Sequence, residues 1–369
     1  SLVGSEMCIR DRDYAKQVTK LADYSGVAIT VSNDYEINDT AKQTYLTNVL
    51  QSYGADAYKQ VTDRDTVADG DYVKVDYTGY KDGKAFDGGS ATDVMLDVTN
   101  NSQVGGSSFI DGFTKPLIGA KVGDKVKGDV TFPEDYGNDD LNGQTVTFEY
   151  TVKGIYSADP VALADMTDEQ VNTVFGKAGV TTNAQLTTQI EKDLKQQLYS
   201  AEVDKIKSYM IDNSTVEIPD EYLQARLNEY IASFTKENVK DGQTLKKYLK
   251  SNYNMTVDQA TEKWKENLTD QIKTEFIFGL IAEKENIKMD DDAFNSYVDY
   301  IVSASNGQFS KASEVYKYFG SGHKDEGKTY LKNQYLVNKA IDTVTEKANV
   351  TFEDGSAAPD TSSGSADAE

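Results

Sequence analysis

At Tyr156 the spacing of apolar residues changes, from every second residue before it to about every 3.6 residues after it, and no single regular element satisfies both periods. The chain therefore divides into a sheet-forming part and a helix-forming part, which makes it an α+β protein. In the last strand before the change, Val146, Phe148, Tyr150 and Val152 alternate with Thr145, Thr147, Glu149 and Thr151, the signature of a strand with one dry face. An earlier strand sets Val73, Val75 and Tyr77 against Tyr72, Lys74 and Asp76 and breaks at Asp82-Gly83, a dipeptide that tolerates the positive φ of a hairpin turn. Between these strands lies one short helix candidate, Phe113 to Ile118, bounded by Gly112 and Gly119. It is too short for the crossover of a parallel sheet, so the sheet is expected to be antiparallel.

After an Ala/Asp/Pro connector, Ser157 to Asp165, helices take over. Thr167 with Gln170 has capping-box spacing, and Thr182 can cap a long helix striped by Leu186, Ile190, Leu194, Leu198, Ile206 and Met210. Val216 to Ile218 reads as extended before Pro219, which suits the first turn of a helix carrying Leu223, Leu227, Tyr230, Ile231 and Phe234. Val257, Ala260, Trp264, Leu268, Ile272 and Phe276 mark another, and further helices are expected over 290–303 and 328–347. Ahead of the sheet, Val27 to Val31 is strand-like and 39–53 helix-like, with Tyr45, Leu46, Val49 and Leu50 at helical spacing. Residues 13–23 read as a polar leader. Residues 1–12, SLVGSEMCIRDR, fit nothing that follows and are read as a non-native leader. The expected domains are a linking segment 13–68, a sheet domain 69–157, a helical domain 158–352 and a disordered acidic tail 353–369.

A formal charge of −23 repels nucleic acid and anionic membrane alike and favours basic clients. No run approaches the ~20 apolar residues of a membrane span. The single Cys, Cys8, cannot form an internal disulfide. With one His and one Cys the chain offers no cluster suited to covalent or metal chemistry, so no cofactor and no metal are expected. Gly322 to Thr329, GHKDEGKT, satisfies a phosphate-loop pattern, but such a cradle needs a buried strand before it and a parallel sheet around it. His323 reads as a solvated side chain there. The run Asp290 to Asp292 reads as helix-start charge favoured by the dipole, and the Asn-x-Ser/Thr sites at Asn213 and Asn267 decide nothing.

Five ordered motifs in 70–156 carry more. They are the YTG strand end at Tyr77, the Phe86-Asp87 pair, the FIDGF segment from Phe109 to Phe113, the FPEDYG loop from Phe132, and the final TF of Phe148. This stretch resembles the FKBP-type peptidyl-prolyl isomerases, most closely the isomerase domain of bacterial trigger factor. The segment before it resembles the link that joins trigger factor's ribosome-binding domain to that isomerase domain. The helices after it, with the STVEIPDEYLQARLNEY pattern, resemble trigger factor's helical chaperone domain. The ribosome-docking body has no counterpart in this sequence, so ribosome docking is not expected of it.

The resemblance implies a peptidyl-prolyl isomerase whose proline pocket is lined by Tyr77, Phe86, Asp87, Phe109, Ile110, Phe113, Tyr136 and Phe148, with Leu141 on the rim. Phe113 would floor the pocket, the Ile110 N–H would hold the peptide carbonyl, and Tyr77, Phe86 and Phe148 would form walls. Asp87 and Tyr136 would supply polar contacts. Val94 stands where many relatives carry an aromatic residue, and the turn 100–107 is longer than usual; both bear on peptide preference. The implied chemistry is non-covalent. Amide resonance sets a barrier of about 18–20 kcal/mol, and a planar amide is more dipolar than a twisted one, so an aromatic pocket disfavours the planar state more. The expected partner is unfolded or nascent polypeptide containing X-Pro bonds, held by the helical domain. Two alternatives stay open: a chaperone whose isomerase fold only holds peptide, and an N-terminally truncated cytosolic, ribosome-associated trigger factor. Composition and the missing docking body favour an extracytoplasmic protein, lipid-anchored at the bacterial envelope through a missing N-terminus, over a cytoplasmic one.

Overall fold

The structure, a computed structural model, describes residues 14–53, 57–159 and 161–362. In chain order the elements are α1 (Tyr14–Gln17), β1 (Val18–Lys20), β2 (Ala28–Val31), α2 (Asp39–Leu50), β3 (Asp71–Lys81), β4 (Lys84–Asp97), β5 (Ser102–Gln103), β6 (Lys125–Thr131), β7 (Thr145–Ser157), α3 (Asp168–Phe175), α4 (Asn183–Asn213), β8 (Thr215–Val216), α5 (Asp220–Asn238), α6 (Leu245–Tyr253), α7 (Val257–Lys284), α8 (Asp291–Ala304), α9 (Ala312–Phe319), α10 (Lys324–Glu346) and β9 (Asn349–Phe352). They form two compact units, one of residues 37–195 and one that joins the chain up to residue 36 with the chain from 196 onward. The expected non-native leader lies outside the described residues.

In the first unit, β5, β4, β3, β7 and β6 form a five-stranded sheet in that order, antiparallel throughout. Asp82 and Gly83 connect β3 to β4 with φ of 51° and 75°, as a two-residue hairpin turn requires. The dry face is the one the alternation marked. Val73, Val75, Val146, Phe148, Tyr150 and Val152 are buried in one core with Leu96, Phe113, Leu117, Val130, Phe132 and Ile155. Phe113 to Ile118 forms only a 3₁₀ turn, Lys115–Leu117. Gly112 and Gly119 take left-handed φ of 84° and 86°, and the span between them is too short for a stable α-helix.

A second core in this unit gathers Leu46 and Leu50 of α2, Met95 of β4, Val171, Val174 and Phe175 of α3, and Leu186 and Ile190 of α4, with Tyr72 and Tyr156 packed against it. The expected boundaries at 68 and 157 thus differ from the division into compact units. Tyr72, Met95 and Tyr156 need cover, and the flanking helices supply it. Asn38 caps α2 by accepting from the Ala41 N–H at 2.9 Å, and Thr167 and Gln170 form the full capping box of α3.

In the second unit β1 pairs antiparallel with β8 and β2 pairs parallel with β9. Residues 14–23 are therefore no free leader: Val18 and Ala22 are buried with Ile206, Met210, Ile272, Phe276, Ile281, Val337 and Ile341. From Glu275 to Ala282 every residue of α7 is buried, the pattern of a helix enclosed on all sides. Glu275 is paired there with Arg226 of α5 at 3.0 and 3.1 Å. A smaller core joins Phe294 and Val298 of α8, Val315 of α9 and Leu331 of α10. Asp290 caps α8 by accepting from the Ala293 N–H at 2.7 Å, the helix-start role expected of that acidic run.

Two further expectations change. Helix α10 begins at Lys324 rather than 328, inside the phosphate-loop look-alike, and α9, not a strand, precedes it. A Cβ at Gly327 would lie 1.8 Å from the Tyr316 carbonyl oxygen, so glycine there is explained by close packing of α10 on α9. The tail expected to be disordered from 353 is packed as far as Thr361. Phe352 donates to and Ala358 bonds back along this segment, Phe352 N–H to Ser356 O and Ala358 N–H to Val350 O, and the Thr361 hydroxyl donates to buried Glu202 at 2.6 Å. The rest of that tail, 363–369, lies outside the described residues.

Candidate active site

Four separated segments bring rings to one place on the dry face of the sheet. Strand β3 contributes Tyr77, β4 contributes Phe86, the loop after β5 contributes Phe109 and Phe113, and β7 contributes Phe148. Tyr77 meets Phe113 edge-on with centroids 5.1 Å apart and Phe148 at 6.0 Å. Phe148 is 4.8 Å from Phe113 and 5.9 Å from Phe86, again edge to face. Such T-shaped pairs are the favoured geometry of ring quadrupoles.

Two glycines make this convergence possible. A Cβ on Gly79 would lie 2.6 Å from Phe86 and 2.7 Å from Phe148, and one on Gly89 would lie 2.6 Å from Phe86. Gly79 is the glycine of the YTG strand end, so the motif's last letter is needed for room rather than for backbone freedom.

Beneath the rings, Tyr150 is fully buried and its hydroxyl donates to the Phe113 carbonyl. Burial raises the pKa of Tyr150, with Tyr77 adding to it, and burial raises that of Tyr77. Both phenols are therefore neutral near pH 7. The ring cluster combines aromatic surface with neutral hydroxyls, an environment suited to desolvating an amide rather than attacking it.

Of the remaining expected residues, Ile110 is half-buried against the same core, and its N–H meets no acceptor among the described residues. Val94 is also half-buried there. Leu141, expected on the rim, is 7 % exposed and belongs to the core itself. Asp87 is exposed, and its side chain makes no hydrogen bond to a described residue. Tyr136 is 48 % exposed and meets not the slot rings but Phe132, edge-on at 4.6 Å, which in turn stands 6.2 Å from Phe86. The expected floor is covered: Phe109 lies parallel on Phe113.

Sequence reasoning assigned Tyr150 to the core and did not mark Phe132 or Asn101 as part of the site. Tyr150 and Phe132 had a usable signal, Tyr150 two residues from Phe148 on one strand face and Phe132 opening the FPEDYG loop. Asn101, which bonds the backbone of Phe109 and Ile110, had none. Among the described residues no group of three or more metal-ligating side chains is gathered, and no helix is long and apolar enough to cross a membrane.

A family model described as FKBP-type peptidyl-prolyl cis-trans isomerase matches residues 64–153, the sheet that carries the ring cluster. One described as bacterial trigger factor protein C-terminus matches residues 181–346. A trigger factor of Agathobacter rectalis is 29% identical over 330 residues, 88% of this chain and 69% of that protein. One of Staphylococcus saprophyticus is 27% identical over 353 residues, 94% of this chain and 75% of that protein. A solved chain of the trigger factor chaperone aligns over 88% of this chain and 72% of its own length, with 18% identity and a TM-score of 0.47. The chain is thus a trigger factor-like protein, in which an FKBP-type isomerase domain precedes a trigger factor-type C-terminal region.

Proposed function

We propose that the protein catalyses cis-trans isomerisation of X-Pro bonds in the slot between Tyr77, Phe86, Phe109, Phe113 and Phe148, and that its helical unit holds the unfolded polypeptide that carries those bonds. The observation that supports this most is the convergence of five rings from four chain segments beside an N–H with no acceptor among the described residues. A prolyl ring seated among them leaves water, a peptide carbonyl outside the rotating amide meets the Ile110 N–H, and the twisted amide loses less solvation than the planar one. Each ~1.4 kcal/mol of that difference is tenfold in rate. Carrying the slot and the holding surface on one chain raises the effective concentration of prolines at the slot.

The covered floor favours a second reading, a chaperone whose isomerase fold holds peptide without turning it over. Full-length protein separates the two. Phe86 is half-buried, as Tyr77 and Phe109 are, so Phe86→Ala costs the fold less than truncating the buried Phe113 or Phe148 would. It is expected to lower acceleration of a proline-limited refolding reaction at least about tenfold, the loss of ~1.4 kcal/mol of transition-state stabilisation, while suppression of client aggregation stays unchanged. Equal refolding acceleration by both proteins would favour the second reading. The preference for export gains no support from the relatives above, which are called trigger factors, and a cytoplasmic place of work is compatible with them.

A further inference from the structure

The loop that delivers Phe109 and Ile110 to the slot is closed by one side chain. Asn101 takes a left-handed φ of 49°, a conformation Asn tolerates better than most residues. Its Nδ2 donates to the carbonyls of Phe109 at 3.1 Å and Ile110 at 2.9 Å. Its Oδ1 accepts from the Thr114 N–H at 2.9 Å and lies 3.1 Å from the Thr114 hydroxyl. The amide can face only one way, because a main-chain N–H must meet oxygen and two carbonyls must meet nitrogen. The Asn101 carbonyl in turn accepts from the Phe109 N–H at 2.9 Å.

Asn101 itself stands on a fixed base. After it the chain makes a small hairpin, with Ser102 bridged to Ser108 and the Gln103 N–H bonded to the Ser107 carbonyl at 3.2 Å. The Val104 N–H bonds the Met95 carbonyl at 2.9 Å, and Val104 packs against the core under α2 and α3. At the tip, Gly105 approaches so near that a Cβ would lie 2.2 Å from the Gln51 carbonyl oxygen. Thr114, the other anchor, is 2 % exposed and bonds the Val98 carbonyl at 3.1 Å. The longer turn is therefore an anchored insert with Asn101 at its neck.

We infer that Asn101 is a positioning residue for peptide binding: by holding the carbonyls of Phe109 and Ile110 it fixes the direction of the free Ile110 N–H while leaving the Phe109 ring able to turn about its own side-chain bonds. This inference rests on the proposed use of the slot for X-Pro peptides. It acts on binding, because a hydrogen bond made equally to the planar and twisted amide lowers KM without changing kcat.

The test uses full-length N101D, which has the same shape and tolerance of left-handed φ but no amide donor, and N101G, which accepts that φ at no cost. Isomerisation of a tetrapeptide of the Ala-Leu-Pro-Phe type is followed over a range of peptide concentrations, and the Ile110 amide resonance is followed in the same titrations. Both variants are expected to raise KM at least about fivefold with kcat within about twofold, and to shift the Ile110 resonance in the free protein. A folded N101D with wild-type KM and an unmoved Ile110 resonance would overturn the inference. A lower kcat at unchanged KM would also overturn it, since that is the signature of lost folded protein. If wild type binds the peptide but does not speed its isomerisation, the isomerase reading fails, and the same comparison is made on Kd from the Ile110 shift. If wild type does not bind the peptide, both fail.

Discussion

Phe109 lies flat on Phe113, ring centroids 4.2 Å apart and planes 15° from parallel, and Phe113 is left 2 % exposed. A prolyl ring can touch the floor of the slot only by taking the place of the Phe109 ring. On the proposed use of the slot, Phe109 is thus as much a cover as a wall, and part of the free energy of peptide binding would go to displacing it.

Removing the cover should show this. Phe109→Ala is expected to lower KM for a prolyl peptide several-fold, because the bound-like state of the floor no longer has to be reached by displacing a stacked pair worth about 0.5–1.5 kcal/mol. Stability should fall by roughly 1–3 kcal/mol, less than for a fully buried Phe. Peptide titration and thermal melting of the same sample check both. A KM that rises would mean that Phe109 contacts the bound peptide as a wall.

Gly79→Ala should act on the slot from behind. The added methyl would stand 2.6 Å from Phe86 and 2.7 Å from Phe148, so at least one ring must move. Overpacking of this kind costs about 1–3 kcal/mol of stability, and kcat/KM should fall about tenfold or more if the two rings form the walls. A variant with native activity would show that the rings are core and that the reaction, if any, occurs elsewhere.

The segment after β9 carries a pH dependence. Glu202 is 2 % exposed; burial raises its pKa, the hydrogen bond from Thr361 opposes that, and Asp360 adds to the rise. A carboxyl with a raised folded-state pKa binds its proton more tightly folded than unfolded, so its contribution is present below the ordinary value of 4.5 and is lost as pH rises through the raised value. Glu202→Gln should therefore raise the melting temperature at pH 7, on a scale of about 2–4 °C per kcal/mol for a unit of this size. The two proteins should converge as the pH falls towards 4.5. A gap that widens on acidification would contradict the assignment.

Much of the sheet was legible because each signal was local. The alternation in β3 and β7, the Asp82-Gly83 turn and the Thr167–Gln170 cap each depend on a few neighbouring residues. The ring set was legible because its motifs come in a fixed order. What was not legible depends on distant partners. β1 has three residues and pairs with Thr215–Val216, far too short for a period, and the tail is held through Thr361 by a carboxylate on α4. Asn101 gives no sign of its role until the loop closes around it, and the stacking of Phe109 on Phe113 is a matter of side-chain rotation that residue order does not carry. The phosphate-loop look-alike arises for the converse reason: Gly327 answers to the packing of α10 on α9 and Gly322 to a left-handed φ of 100°, neither of which the pattern mentions.

The central claim is that this slot lowers the barrier to prolyl rotation. Conformer-exchange NMR on an Ala-Leu-Pro-Phe type tetrapeptide, with catalytic amounts of full-length protein, measures that directly. Uncatalysed exchange takes about 10–100 s; the account predicts exchange faster in proportion to protein concentration, and a loss of at least about tenfold with Phe86→Ala. A peptide that binds, as shown by shifts at Ile110, yet exchanges at the uncatalysed rate would contradict it.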